Sequence, residues 1–247
     1  MKKLGLLGFV LWISVFLWTK DSFAHMRRYV WTEVYNTLPR GTFEVESWTT
    51  LKVPDGNRTN ANTWQYQGEL EYGITDHWNV AHYERWKTKN KVGPDDSTVY
   101  EGFKFETKYR FGEKGKYWLD PLLYLELATD VREKHRANEL EGKLVLSKDI
   151  GKFNAAYNQI IESEVDNGGR TKHEFRVAAG YEILPGFHAG GEFVGQHWAP
   201  GSNRNELSMG PTIAYEHKYF WIAAGGLFGL NHAADDKEAR LIVGIPF

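Results

Sequence analysis

The amino-acid sequence predicts an all-β fold: a single transmembrane antiparallel up-and-down β-barrel of about twelve strands, with short periplasmic turns and longer extracellular loops. Three observations predict it. Polar and apolar side chains alternate in segments of roughly 10 to 14 residues, as in strands. Long polar loops and tight turns alternate as the connections between these segments. The chain ends on Phe247, with apolar residues at every second position before it.

The composition excludes several other classes of protein. The 247 residues are 42% hydrophobic and 25% charged, and only residues 4–18 approach the length of an apolar transmembrane helix. The aromatic content of 15% supplies apolar area that disordered chains lack. Because the chain has no cysteine, disulfides, zinc–thiolate sites, iron–sulfur clusters and thiol nucleophiles are excluded.

The amino terminus predicts export. Two lysines precede the apolar run Leu4–Trp18, and the small residues Ser22 and Ala24 follow it, so residues 1–24 are predicted to be a cleaved signal peptide. A retained membrane anchor is the alternative. Removal of residues 1–24 takes away three lysines and one aspartate, which leaves 27 basic and 31 acidic residues and a net charge of −4. This balance argues against nucleic acid as a partner.

The alternation predicts the strands in order, and no convincing helical segment interrupts them. We expect alternation to be weakest in the third and eleventh strands, where a bulge or a changed register would fit. The predicted strands are Thr42 to Val53, Thr63 to Ile74, His77 to Lys89, Val99 to Phe111, Tyr117 to Asp130, Asn138 to Asp149, Gly151 to Val165, Thr171 to Ile183, Gly186 to Trp198, Asn205 to Glu216, Tyr219 to Asn231 and Lys237 to Phe247.

The connections indicate which ends of the strands lie together. Odd-numbered connections are long and polar, such as residues 92–96 and 166–169, whereas even-numbered ones are tight, such as Thr75-Asp76 and Leu184-Pro185. Outer-membrane barrels combine long external loops with short periplasmic turns, and an even strand number puts both termini on the periplasmic side. A soluble β-sandwich is the alternative, since it also alternates apolar and charged faces. The domain prediction is a barrel over residues 42–247, preceded by residues 25–41 as a periplasmic segment or a plug of the lumen.

One face of the predicted strands is charged, and we assign it to the lumen. In the fourth strand Phe103 and Phe105 lie on one face, and Lys104 and Glu106 on the other. Mixed charges at this density indicate either a structural network of ion pairs or a polar conduit that selects solutes. The residues predicted to line the lumen are Glu44, Glu46, Glu69, Glu71, Lys104, Glu106, Lys108, Arg110, Glu126, Glu141, Lys143, Glu162, Glu174, Arg176, Glu192 and Arg240.

The last strand and the tryptophans support membrane insertion. Leu241, Val243, Ile245 and Phe247 share one face and resemble the carboxy-terminal signature that the barrel assembly machinery reads. Tryptophans near strand ends fit the aromatic girdles of such barrels, although we expect part of the set to fill the lumen instead. The set is Trp48, Trp64, Trp78, Trp86, Trp118, Trp198 and Trp221.

Three short phrases carry a family resemblance. They are Thr37–Gly41 (TLPRG), Glu71–Asp76 (EYGITD) and Leu146–Gly151 (LSKDIG). They resemble Gram-negative outer-membrane proteins of the meta-pathway phenol-degradation-like transporter family, in which similar phrases mark the periplasmic hairpins. The resemblance spans most of the mature chain and implies an outer-membrane barrel that passes small molecules, including aromatic or hydrophobic ones. It implies no catalytic residue.

The resulting functional prediction is a porin-like passive channel or transporter, without enzymatic activity or cofactor, in the bacterial outer membrane. Outer-membrane lipids, lipopolysaccharide, the assembly machinery and a small solute are the expected partners. The alternative is a structural or adhesive barrel that has a closed, salt-bridged lumen and functions through its external loops.

A lipid hydrolase is the enzymatic alternative, but the serines 147 and 208 and the histidines 173 and 217 are not predicted to share a face. His25 at the mature amino terminus could chelate copper, but no second ligand is indicated.

Overall fold

The computed structural model describes residues 27–54, 62–89, 98–131, 138–165, 170–199 and 205–247. Within these ranges twelve antiparallel strands close into one barrel, each pairing with its neighbours in sequence and β1 pairing with β12. The predicted barrel of about twelve strands is confirmed. The strands are β1 (Phe43–Val53), β2 (Thr63–Thr75), β3 (Trp78–Lys89), β4 (Thr98–Arg110), β5 (Asp120–Asp130), β6 (Asn138–Ile150), β7 (Phe153–Glu164), β8 (Thr171–Leu184), β9 (Phe187–Ala199), β10 (Asn205–His217), β11 (Phe220–Gly229) and β12 (Lys237–Pro246).

The seam between β1 and β12 closes the barrel. Their register runs from Glu44 opposite Pro246 to Val53 opposite Lys237. At the end of the seam the backbones of Phe43 and Phe247 exchange two hydrogen bonds, of 3.0 and 2.8 Å. Their rings stack with centroids 5.7 Å apart. Closure leaves neither of these strands as an open sheet edge.

The outer face of the barrel is apolar and the inner face is largely polar. In β5 Leu123, Leu125 and Leu127 point outward, each more than 40% exposed, whereas Tyr124 and Glu126 are buried on the inner face. A water-soluble barrel would place the leucines inside. Apolar side chains outside and polar side chains inside suit a barrel that is surrounded by lipid.

The two ends of the barrel differ in their connections. We call the end that carries Phe43, Phe247 and the tight turns the turn end, and the opposite end the loop end. Gly151 and Gly186 adopt positive φ angles of 59° and 74° in two of the tight turns, a conformation that favours glycine. No described helix is long and apolar enough to span a membrane.

One connection at the turn end departs from the predicted pattern. The fifth strand begins at Asp120 instead of Tyr117, so residues 111–119 form a longer connection. The Asp120 carboxylate accepts hydrogen bonds from the backbone N–H groups of Gly115, at 2.8 Å, and Tyr117, at 3.3 Å. The bond from Tyr117 replaces strand pairing at the first of the residues that resembled the start of a strand.

The predicted tryptophan set divides between the two faces. Trp78, Trp86 and Trp118 are exposed on the outside, where a girdle would lie. Trp48 and Trp221 are buried inside the barrel. Trp64 and Trp198 are partly exposed.

The predicted signal peptide and His25 lie outside the described residues.

Candidate functional site: the barrel interior

Residues 27–40, which we call the inner segment, are held by side chains of the wall, and those up to Leu38 are buried or partly buried inside the barrel. The Glu192 carboxylate on β9 accepts three backbone N–H groups: Oε1 from Val30 at 2.8 Å, and Oε2 from Trp31 at 2.9 Å and Thr32 at 2.7 Å. All four residues are buried. A charged acceptor therefore satisfies three consecutive donors of a segment that has no strand partner.

Three further wall residues bond the backbone of Val30, Trp31 and Glu33. Asn158 on β7 accepts from the Glu33 N–H at 2.7 Å and donates to the Glu33 carbonyl at 2.9 Å. Arg176 on β8 donates to the Trp31 carbonyl at 2.5 Å. Arg240 on β12 donates to the Val30 carbonyl at 3.0 Å. Because these strands lie in different parts of the wall, the segment must cross the interior between them.

The segment is also anchored at the turn end. The Tyr35 hydroxyl donates to the Phe111 carbonyl at 2.8 Å, and the Thr37 hydroxyl donates to the Asp76 carbonyl at 2.8 Å. Gly73 on β2 lies directly against the segment, and a Cβ there would overlap the carbonyl oxygen of Pro39. A glycine at this wall position therefore allows close approach of the two backbones.

Apolar packing fixes one side of the segment. Val30 and Trp31 belong to a buried cluster with Trp48, Trp221 and Ile242 of the wall. This cluster covers the β1–β12 seam from inside. The segment is therefore bound by apolar contact as well as by hydrogen bonds.

Five glutamates predicted to line the lumen come together on neighbouring strands, and we call them the carboxylate cluster. Strand register places Glu44 opposite Glu71 and Glu46 opposite Glu69, and Glu106 completes the group from β4. All five are buried. Like charges directly opposite one another destabilise a sheet unless another group compensates them. The members are Glu44, Glu46, Glu69, Glu71 and Glu106.

The carboxylate cluster has few basic partners. The Lys108 ammonium lies 2.8 Å from Glu106 and 3.5 Å from Glu71. The Trp48 indole N–H is shared between Glu46, at 2.8 Å, and Glu69, at 3.2 Å.

The adjoining part of the inner face, from β4 to β8, carries ion pairs. The nitrogen–oxygen distances are 3.0 Å for Lys104–Glu126, 3.2 Å for Lys143–Glu141, 2.6 Å for Lys172–Glu162 and 2.5 Å for Arg176–Glu174. Each of these glutamates has its own basic neighbour, whereas Glu71 and Glu106 of the carboxylate cluster share Lys108. Ion pairs across the wall therefore balance charge on β4 to β8.

Arg27 and Glu33 of the inner segment form an ion pair with each other within the interior. Arg27 also lies 4.0 Å from Glu46, and its guanidinium is 4.5 Å from the centre of the Trp48 ring. Burial alone would raise the pKa of the Glu33 carboxyl. The positive charges of Arg27, Lys108 and Lys143 outweigh burial and hold that pKa well below its ordinary value.

The remaining predicted residues have separate positions. Arg110 lies near the turn end, where its Nε donates to the Asp76 carbonyl at 2.8 Å. Ser147 is buried and hydrogen-bonded to Asn154 at 3.3 Å, whereas His173 and His217 are exposed on the outer face. The structure therefore does not bring the serine and histidine candidates together.

Sequence reasoning missed several interior residues. Asn79 and Asn158 are fully buried, and Tyr83 and Tyr124 are nearly so. Their positions in the strands share a face with the predicted glutamates, so alternation could have identified them. Arg27 and Glu33 lie outside the strands, and no periodicity reveals their contacts.

A polar cavity of about 120 Å³ lies between the inner segment and the wall. Cationic and aromatic side chains alternate in its lining. The ammonium of Lys143 is 3.7 Å from the centre of the Tyr124 ring, and the guanidinium of Arg240 lies 5.2 Å from Trp31 and 5.5 Å from Trp48. The basic lining residues are Arg27, Lys104, Lys143, Arg176 and Arg240, and the acidic ones are Glu33, Glu126 and Glu141.

Solved structures show the same fold at low sequence identity. A NanC porin superposes with a TM-score of 0.55 at 10% identity, over 82% of this chain and 98% of the porin. An outer-membrane channel from Pseudomonas putida F1 superposes with a TM-score of 0.58 at 9% identity, over 86% of this chain and 98% of the channel. No protein-family model and no curated protein sequence matches the chain. Because the sequence identities are only 9% and 10%, these superpositions establish the fold alone.

Proposed function

We propose that the protein is an outer-membrane channel for small molecules whose passage is controlled by the inner segment. The observation that carries this proposal is the way in which the segment is held. It crosses a polar interior on side-chain hydrogen bonds, and backbone pairing with the wall begins only after it, where Gly41 and Thr42 bond to Gly73 of β2, so the segment could leave without disrupting the barrel. The inverted faces and the likeness to a porin and a channel support the membrane setting.

The compartment forms part of the proposal. Residues 1–24 would direct export, and the apolar face ending at Phe247 would be read by the assembly machinery. The apolar outer face would contact outer-membrane lipids and lipopolysaccharide. The turn end, with its tight connections and both chain ends of the barrel, would face the periplasm.

The polar cavity indicates the solute class. Its five basic groups outnumber its three glutamates, so its net positive charge favours an anion, and the ring faces of its tryptophans and tyrosines favour a planar solute. Small aromatic carboxylates combine both properties. The family resemblance points in the same direction through its aromatic solutes.

Reconstitution of the refolded mature protein is the test. We expect benzoate to enter proteoliposomes faster than benzylammonium, because the two differ mainly in charge. Planar-bilayer recording should show rare openings in the parent protein. Lys143→Gln should reduce the preference for benzoate, whereas Lys237→Gln, at an exposed position, should not. Absence of both conductance and uptake, even after the inner segment is deleted, would refute the channel proposal.

A structural or adhesive barrel is the second candidate, because the inner segment and ion pairs fill much of the interior. Its function would reside at the loop end. Deletion of the external loops that abolishes binding to a cell surface while leaving permeability unchanged would favour this candidate over the channel.

A further inference from the structure

Arg240 differs from the other basic side chains that line the polar cavity. Those side chains each have a carboxylate partner, in the ion pairs Arg27–Glu33, Lys104–Glu126, Lys143–Glu141 and Arg176–Glu174. In the part of the chain that the structure describes, Arg240 forms no ion pair. The glutamates that act on it electrostatically are Glu238 and Glu192. Both are bonded elsewhere, since Glu238 lies 3.2 Å from the Lys52 ammonium and Glu192 accepts the backbone N–H groups of the inner segment.

The guanidinium of Arg240 is oriented by the wall and keeps donors free. Its Nε donates to the hydroxyl of Thr50 at 2.9 Å, and Thr50 lies directly opposite Arg240 in the register of β1 and β12. Its Nη1 donates to the Val30 carbonyl at 3.0 Å. The further N–H groups on Nη1 and Nη2 have no acceptor among the described residues. A carboxylate binds such a planar fork through two parallel hydrogen bonds.

The cavity beside the guanidinium has about the size of one aromatic ring. Its volume is about 120 Å³. An engineered protein cavity of about 150 Å³ binds benzene. The rings of Trp31 and Trp48, whose centres lie 5.2 and 5.5 Å from the Arg240 guanidinium, line the same cavity. A carboxylate bound to Arg240 would therefore bring an attached ring against an indole face.

The same guanidinium also holds the inner segment. Val30 is only 1% exposed, and its carbonyl depends on the hydrogen bond from Arg240. A charged carboxylate is a stronger acceptor than a neutral carbonyl, so a solute bound to Arg240 competes with Val30 for Nη1. A buried carbonyl that loses its donor destabilises the position of its segment. Solute binding and release of the inner segment are therefore coupled, and each favours the other.

We propose that Arg240 binds the carboxylate of the solute, and that the bound solute loosens the inner segment by competing with the Val30 carbonyl. The ligand class is a small planar monocarboxylate, of which benzoate is a simple aromatic member. Thr50 is a positioning residue, because it orients the guanidinium without touching the solute. This inference rests on the proposed channel function and adds to it a binding residue and a way in which the solute promotes its own passage.

Calorimetric titration of the folded mature protein in detergent with benzoate tests the binding residue. Arg240→Gln should weaken benzoate binding about tenfold or more, because it removes the unpaired positive charge and its fork. Arg240→Lys keeps the charge without the planar fork and should restore only part of the affinity. Lys172→Gln is the matched control, because it removes a positive charge that is paired with Glu162 and lies outside the cavity lining. It should change the affinity less than about twofold.

Labelling of a cysteine in the inner segment tests the coupling. Thr32→Cys places a thiol at a buried position of a chain that has no other cysteine, and its reaction rate with a maleimide reports release of the segment. Benzoate should raise this rate several-fold and saturate with binding, whereas benzylammonium at the same ionic strength should leave it unchanged. When Arg240→Gln is added, the rate should start higher, because the Val30 carbonyl has lost its donor, and should no longer respond to benzoate.

Two results would overturn the proposal. One is equal benzoate affinity in the parent and in Arg240→Gln, including the case in which neither binds. The other is a labelling rate that does not respond to benzoate in a barrel that binds it. Heat-modifiable migration in gels checks folding. If Arg240→Gln does not fold, Thr50→Val should weaken benzoate binding several-fold, because it removes the hydroxyl that orients the guanidinium, and unchanged affinity would count against Arg240.

These measurements are made in detergent and need no conductance. The channel proposal can therefore fail in planar bilayers while benzoate still binds at Arg240. Conversely, a conducting barrel that does not bind benzoate would leave the channel standing and remove Arg240 as the binding residue.

Discussion

Replacing Glu192 with alanine is expected to loosen the inner segment. The Glu192 carboxylate accepts the N–H groups of Val30, Trp31 and Thr32 at 2.7 to 2.9 Å. The variant removes all three acceptor contacts in one change. It leaves the backbone of the wall intact, because Glu192 reaches the segment through its side chain.

The expected size of the effect follows from these bonds. Hydrogen bonds to a charged group contribute about 1.5–3 kcal/mol each, so three contribute about 5–9 kcal/mol if they are additive. Removing the carboxylate also removes the cost of burying its charge, which is several kcal/mol. We therefore expect a net loss of about 3 kcal/mol, which increases the released fraction roughly 100-fold.

The absence of cysteine allows a direct assay. Thr32→Cys introduces a single thiol at a position that is 2% exposed. Its rate of reaction with a maleimide in the folded barrel measures how often the segment leaves its place. We expect the rate to rise about 100-fold when Glu192→Ala is added, together with more frequent openings in planar bilayers.

A matched variant separates release from general damage. Glu162→Ala removes another interior glutamate, one that pairs with Lys172 of the wall, and should leave the labelling rate near that of the parent. Suppose that Glu192→Ala and its parent both migrate as folded barrels. Equal labelling rates in the two proteins would then refute the conclusion that Glu192 holds the segment in place.

Three other substitutions test the packing. Gly73→Ala should raise the labelling rate of Thr32→Cys, because the added Cβ would overlap the Pro39 carbonyl and loosen the segment at the turn end; an unchanged rate would contradict that close approach. Trp221→Ala should lower the free energy of unfolding in urea by about 3–5 kcal/mol, whereas Trp118→Ala, at an 85% exposed site, should change it little; equal effects would contradict the interior position of Trp221. Leu125→Arg should cost about 2–4 kcal/mol in lipid vesicles and much less in a detergent that solvates the outer face, and stability unchanged in vesicles would argue against lipid contact there.

The strands were predictable because each carries its own signal. Alternation sets both the existence of a strand and the face of each side chain, and most predicted boundaries lie within one or two residues of those observed. The same rule places Trp48 with Glu44 and Glu46, and so predicts its interior position. Its assignment to a membrane girdle from its residue type alone would have been wrong.

The start of β5 and the inner segment were not predictable in this way. Tyr117 and the residues after it are apolar enough for a strand, but the Asp120 side chain accepts the backbone N–H groups of Gly115 and Tyr117. The inner segment has no alternation, and its position depends on Glu192 and Asn158, which are more than a hundred residues away in sequence. Long-range side-chain bonds leave no periodic signal.

The place where the inner segment joins the barrel also bears on the order of folding. Pairing of β1 with β12 joins the two ends of the barrel sequence, so it closes the longest loop in the fold and carries the largest entropic cost. The segment leads directly into β1, and its Val30 accepts a hydrogen bond from Arg240 of β12 and packs with Ile242. It therefore offers β12 a binding surface before the seam is complete. We therefore expect removal of the inner segment to slow the closing of the seam during assembly.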